Sequence, residues 1–109
     1  MEKSKSDVLK VLRLARARIV KGWTQNSEAK NSRGEDVRPG DKTAVKWCAL
    51  GAMMDLGFSQ RIRAKAIIHL GLACQDQASG IMNFNDDVAK KKSQVLAVFD
   101  KAIRLARAA

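Results

Sequence analysis

Between Trp47 and Met54 the chain reads W-C-A-L-G-A-M-M, eight residues with no formal charge and no side-chain amide, and any fold open to this sequence must bury them. The run is too short to cross a bilayer, which takes roughly 20 residues, so it belongs to the core of a small domain. Its expected form is a buried helix from about Thr43 to Leu56, closed by Gly57. Gly51, flanked by Ala49 and Ala52, leaves little side chain between backbones, and Trp47, Leu50, Met53 and Met54 fill the space around that close approach.

A chain of 109 residues supports one domain with one core. The hydrophobic share of 46% argues against intrinsic disorder, and a single Pro with ends rich in Ala, Leu, Lys and Arg favours helix over strand. The expected fold is therefore all-α, a compact bundle of about four helices spanning 1–109. Residues 1–5 are expected to be a disordered N-terminus, and 24–42 a long loop between helices one and two.

Helix one is expected over about 6–22, with Ser6 as N-cap. It places Val8, Val11, Leu12, Ala15 and Ile19 on one face and Lys10, Arg13, Ala17 and Lys21 on the other, with Arg16 and Arg18 at the margins. Helix three is expected over about 60–77 behind Phe58 as a hydrophobic staple and Ser59 as N-cap. It starts basic with Arg61, Arg63 and Lys65 and is apolar on nearly every side from Ala66 to Cys74. Asn85 or Asp86 should cap helix four, about 87–107, whose Val88, Val95, Phe99, Ala102, Ile103 and Ala106 face the core while Lys90, Ala97, Lys101 and Arg104 oppose them.

Twenty-one basic residues against eleven acidic ones give a net charge of +10. The excess falls on the terminal helices and the start of helix three, while 23–58 is balanced. Lys and Arg commonly do no more than solvate helix faces, but this much charge on a small domain also concentrates polyanions around it. If helices one and four pack side by side, Lys10, Arg13, Lys21, Lys90, Lys101 and Arg104 join into one positive surface, which Arg61 and Arg63 extend.

A second candidate lies where helix one ends. Trp23 either caps the core or joins Gln25, Trp47 and the Asn85 turn in a pocket for a planar or anionic group. Cys48 and Cys74 are the only cysteines and His69 the only histidine. That spacing excludes an ordinary zinc motif and reads as two buried thiols in a reducing cytoplasm. His69 reads as a hydrogen-bonded core or boundary histidine. No signal peptide is expected at the start of the sequence, nor any cofactor.

Trp23-Thr24-Gln25, Trp47-Cys48-Ala49-Leu50-Gly51-Ala52 and Phe84-Asn85-Asp86, followed by Val95-Leu96 and Ala102-Ile103, resemble a small helical domain family of unknown function found in bacteria and phages. In that family the aromatic of the last motif is more often Trp than Phe. The resemblance implies a compact helical domain and no known activity or site residues. Three functions then compete. The first is a non-enzymatic module for nucleic acid or another polyanion, either monomeric or homodimeric. The second is an accessory or inhibitor that docks an acidic protein surface, a phage origin being open to it on this resemblance. The third is an enzyme with Cys48 as nucleophile, which the apolar surroundings of Cys48 disfavour.

Overall fold

The computed structural model, which describes residues 3–109, begins with a long amphipathic helix, α1 (Lys3–Lys21). Val8, Val11, Leu12, Ala15 and Ile19 are all buried, as the periodicity of the sequence requires. The helix starts earlier than expected, so residues 3–5 are helical rather than disordered; residues 1 and 2 lie outside the described residues. Lys5 gives the early turn a tertiary anchor, its Nζ donating to the Ala109 oxygen at 2.9 Å. Gly22 ends the helix because Trp47 pairs there: a Cβ at position 22 would collide with the Val45 carbonyl oxygen.

The expected helix over 43–56 is not present. Strand β1 (Ala29–Lys30) pairs antiparallel with strand β2 (Lys46–Trp47), with Ala29 opposite Trp47 and Lys30 opposite Lys46. The chain then makes a 3-10 turn at Gly51–Met53. The apolar run is buried as required, with Trp47, Cys48, Ala49, Gly51, Ala52 and Met53 all in the interior. Its backbone groups, however, find partners far along the chain. Trp47 N–H donates to Gly22 O at 3.0 Å, Cys48 N–H to Glu28 O at 3.2 Å, and Trp47 O accepts from Thr24 N–H at 3.1 Å. Each such bond occupies a group that a helix would have used internally. The fold is thus mostly helical with a small two-stranded sheet, which corrects the all-α expectation.

The segment 24–42, expected as a long loop, is mostly loop and turn with strand at Ala29–Lys30, and it forms one arm of a wide hairpin. Val37 N–H donates to Ala29 O and Val45 N–H to Lys30 O. Asn31 organises the tip, its Oδ1 accepting from the N–H groups of Arg33 and Glu35. Trp47 fastens the base by donating its indole N–H to Pro39 O at 3.0 Å. Arg18 closes the other side, donating to the carbonyls of Ala52 and Met54 while its guanidinium lies 5.3 Å from the centre of the Trp47 ring.

After the hairpin, Ser59 caps α2 (Gln60–Ala73), its Oγ accepting from Ile62 N–H at 3.2 Å. This helix ends four residues earlier than expected, and its second half is not buried all round. Ala66, Leu70 and Ala73 face the core, whereas Ile68 is 59% and Leu72 45% exposed. A short α3 (Ile81–Asn83) runs directly into a π-helical turn (Phe84–Val88), and α4 (Lys92–Ala108) follows. The last helix therefore starts at Lys92 rather than residue 87. Neither Asn85 nor Asp86 caps it; the side chain of Gln94 does, accepting from the N–H groups of Lys90 and Lys91.

The first and last helices do pack side by side, and they run antiparallel. Arg16 bridges to Asp100 at 2.7 Å midway, Lys5 reaches Ala109 at one end, and Lys92 Nζ donates to Val20 O at 2.9 Å at the other. Helix α2 packs against both, and Phe99, Leu12, Leu70 and Val95 fill the space between them.

Candidate functional site

Seven of the eight basic residues singled out in the sequence, Lys10, Arg13, Lys21, Arg61, Lys90, Lys101 and Arg104, are exposed. Arg63 is half-buried and donates to Phe58 O at 2.8 Å, a local contact that secures the start of α2. Among the described residues the three ion pairs are Arg16–Asp100, Lys30–Asp36 and Arg38–Asp55, none of which involves these eight.

The eight do not form one continuous face. Lys10, Arg13 and Lys21 line the outer side of α1, and the antiparallel packing brings the start of α4 to the end that carries Lys21. Lys90 lies just before α4 rather than on it, and Lys91 and Lys92 continue a basic corner there. The K-K-K run was visible in the sequence, but a helix drawn from residue 87 spreads it around a wheel and hides the corner. Lys101 departs from the expected surface. It borders a cleft with Ala73 and Gln77 from the α2 end, whereas Asp100, its neighbour, faces α1. Arg104 borders that same cleft.

Trp23, Gln25 and Asn85 are brought together, as the pocket reading requires. Asn85, 99% buried by its 1% exposure, stands at the centre. Its Oδ1 accepts from the Trp23 indole N–H at 2.8 Å and from Ala49 N–H at 2.9 Å. Its Nδ2 donates to Thr24 O at 3.2 Å and to Asp86 Oδ1 at 2.8 Å. Gln25 Nε2 donates to the carbonyls of Asn85 and Ala89, each at 3.0 Å, and so ties down the π-helical turn. The Trp23 indole N–H and the two amide NH₂ groups are thus used within this cluster, on the Asp86 carboxylate and on the backbone. Trp47 meets this cluster only through its backbone bridge to Trp23, since its indole turns to Pro39. The adjoining cleft carries Asp86 and Asp87 and no basic side chain, the wrong sign for an anion.

Cys48 and Cys74 are free and buried. Burial pushes both thiols above their ordinary value; the Gly51 N–H, which donates to Cys48 Sγ at 3.2 Å, only partly offsets this for Cys48. A thiol held neutral is a poor nucleophile. Both cysteines should therefore react with a thiol reagent at pH 8 about a hundredfold or more slowly in the native protein than in denaturant, read by absorbance at equal reagent concentration. Because the unfolded chain ionises first, their contribution to stability should be present below the ordinary thiol value of 9.0 and fall away as pH rises beyond it. His69 is half-buried, its Nδ1–H donating to Lys65 O at 2.9 Å in the manner expected of a boundary histidine.

Among the described residues no three His, Cys, Asp or Glu side chains gather to hold a metal ion, and no helix is long and apolar enough to cross a membrane. No curated protein and no solved structure matches the chain. The model of a family of unknown function matches residues 3–105, which takes in α1, the hairpin, α2, the Asn85 turn and most of α4. The chain belongs to that family, DUF6197.

Proposed function

We propose that this protein is a non-enzymatic binding module for nucleic acid or a similar polyanion, engaged through the outer side of α1 and the basic corner at Lys90–Lys92. The observation that carries the reading is that the exposed basic residues there have no carboxylate partner among the described residues, so their charge is available to a ligand. Lys10 and Lys21 are roughly 16 Å apart along the helix axis, enough to follow several phosphates of one strand. Contacts of this kind read backbone charge and not base sequence. The proposal sets the protein in a reducing cytoplasm and includes no cofactor.

A second reading, docking to an acidic protein surface, is favoured by the apolar side chains left exposed among the charges. Ile68 and Leu72 lie one turn apart on α2, and Leu105 on α4 is 36% exposed. Fluorescence anisotropy with labelled mixed-sequence duplex DNA and RNA separates the two. Affinity should fall by about 3 to 4 log units per log unit of salt if about four duplex phosphates are neutralised. Reversal of Lys10, Arg13, Lys21 and Lys90 to Glu should abolish binding while leaving the circular dichroism spectrum intact, since all four are exposed. Absence of binding to any nucleic acid at about 50 mM salt would overturn the first reading and leave the second.

A further inference from the structure

From Ala66 to Gln75 the chain carries no formal charge, although 29% of all its residues are charged. Burial accounts for only part of that stretch. Ala66, Leu70, Ala73 and Cys74 lie in the core, whereas Ile68 is 59% and Leu72 45% exposed. Arg61, Ala64, Ile68 and Leu72 are all exposed and follow one another at spacings of three and four, which sets them on one side of α2, away from Ala66, Leu70 and Ala73. Gly71 lies beside this row, and a Cβ there would meet nothing within 4 Å, so no neighbouring element covers it. A helix side that faces water ordinarily carries charge along its length. This one is apolar at its middle and charged only towards its ends, with Arg61 and Lys65 in its first half and Asp76 in the turn that follows it. Neither Arg61 nor Asp76 is in an ion pair among the described residues.

We propose that this side of α2 is covered by α2 of a second copy of the chain, packed antiparallel about a two-fold axis at Ile68. Opposite charge at the two ends selects this occupant. The two-fold brings Arg61 of each copy to Asp76 of the other, since the two residues lie at similar distances on either side of Ile68, roughly 10 to 12 Å along the helix. An acidic partner would suit Arg61 and be repelled by Asp76, whereas a second copy satisfies both. The same operation matches size. Ile68 meets its own counterpart, Ala64 comes level with Leu72 of the second copy, and Gly71 lets the two backbones approach. Two helices of this length bury on the order of 1,000 Å², below the roughly 1,200 Å² of a standard stable complex, and two chains of charge +10 repel each other. The dimer is therefore weak, with a Kd of about 10 to 100 µM. None of the residues assigned to the polyanion surface lies on α2, so the two proposals stand or fall separately.

Sedimentation equilibrium on the full chain, freed of nucleic acid and loaded from about 5 to 500 µM, tests the interface. A monomer–dimer equilibrium in that range should tighten about threefold or more between about 50 and 300 mM NaCl, because salt screens the repulsion of the two chains and leaves the apolar contact, the reverse of its effect on polyanion binding. Ile68→Glu sets like charges together at the axis and should weaken the dimer at least about tenfold, with an unchanged circular dichroism spectrum because position 68 is exposed. Arg61→Glu and Asp76→Arg should each weaken it about threefold, and the two combined in one chain should restore most of the loss at unchanged net charge. A chain still monomeric at about 500 µM, a dimer untouched by Ile68→Glu, or a combined variant weaker than both single ones would each overturn the proposal, the last by excluding the antiparallel register.

Discussion

Asn85→Ala is expected to destabilise the protein by about 3 to 5 kcal/mol, because it strips a hydrogen-bond acceptor from two donors that nothing else can satisfy. The Trp23 indole N–H and the fully buried Ala49 N–H both point at Asn85 Oδ1, and Thr24 O loses its amide donor in the same step. Such a loss is a large part of the roughly 5 to 15 kcal/mol that holds a domain of this size together, and the melting temperature should fall by about 15 °C or more. Asn85→Leu should fare no better, since matching the volume leaves the same donors unpaired. Urea and thermal denaturation followed by circular dichroism measure this directly. A loss below about 1 kcal/mol would show that water or a shifted backbone replaces the amide, and that the network does not hold the π-helical turn to the hairpin.

Gly51→Val should be comparably severe, at about 3 kcal/mol or above. A Cβ at position 51 meets the Glu28 carbonyl oxygen, with the Glu28 carbonyl carbon at 2.7 Å and its Cα at 2.9 Å. All three are backbone atoms of the segment that accepts the Cys48 N–H, so relief requires pulling the hairpin arm away and breaking that bond. Gly71 on α2 provides the contrast. A Cβ there meets nothing within 4 Å, and Gly71→Ala should raise stability by about 0.5 to 1 kcal/mol through helix propensity alone. A melting temperature unaffected by Gly51→Val would remove the close approach of the turn to Glu28 from the account of this fold.

These two positions also mark where the sequence stops being legible. The glycine within an apolar run announced that backbones meet closely at position 51, but the partner is an extended segment and not a second helix. An eight-residue apolar run carries no period that separates strand from helix, and its backbone hydrogen bonds go to Gly22, Thr24 and Glu28, whose arrival no local propensity encodes. The start of α4 was misplaced for a related reason. Asn85, Asp86 and Asp87 have the chemistry of an N-cap, yet Asn85 is drawn inward by Trp23 and Ala49, and the helix starts where Gln94 accepts from the N–H groups of Lys90 and Lys91 just before it.

What the sequence determined by itself was whatever depends on neighbours along the chain. Helix α1 and its buried face follow from a 3.6-residue period, the Ser59 cap from a hydroxyl three residues before an N–H, and the excess of positive charge on the terminal helices from composition alone. The tertiary structure decided everything that depends on who arrives from elsewhere. It turned the apolar run into a strand and a 3-10 turn, and closed Trp23, Gln25 and Asn85 into an internal network. The reason is that buried polar groups must all find partners, and which partner each finds is settled by packing across the whole chain and not by spacing within a segment.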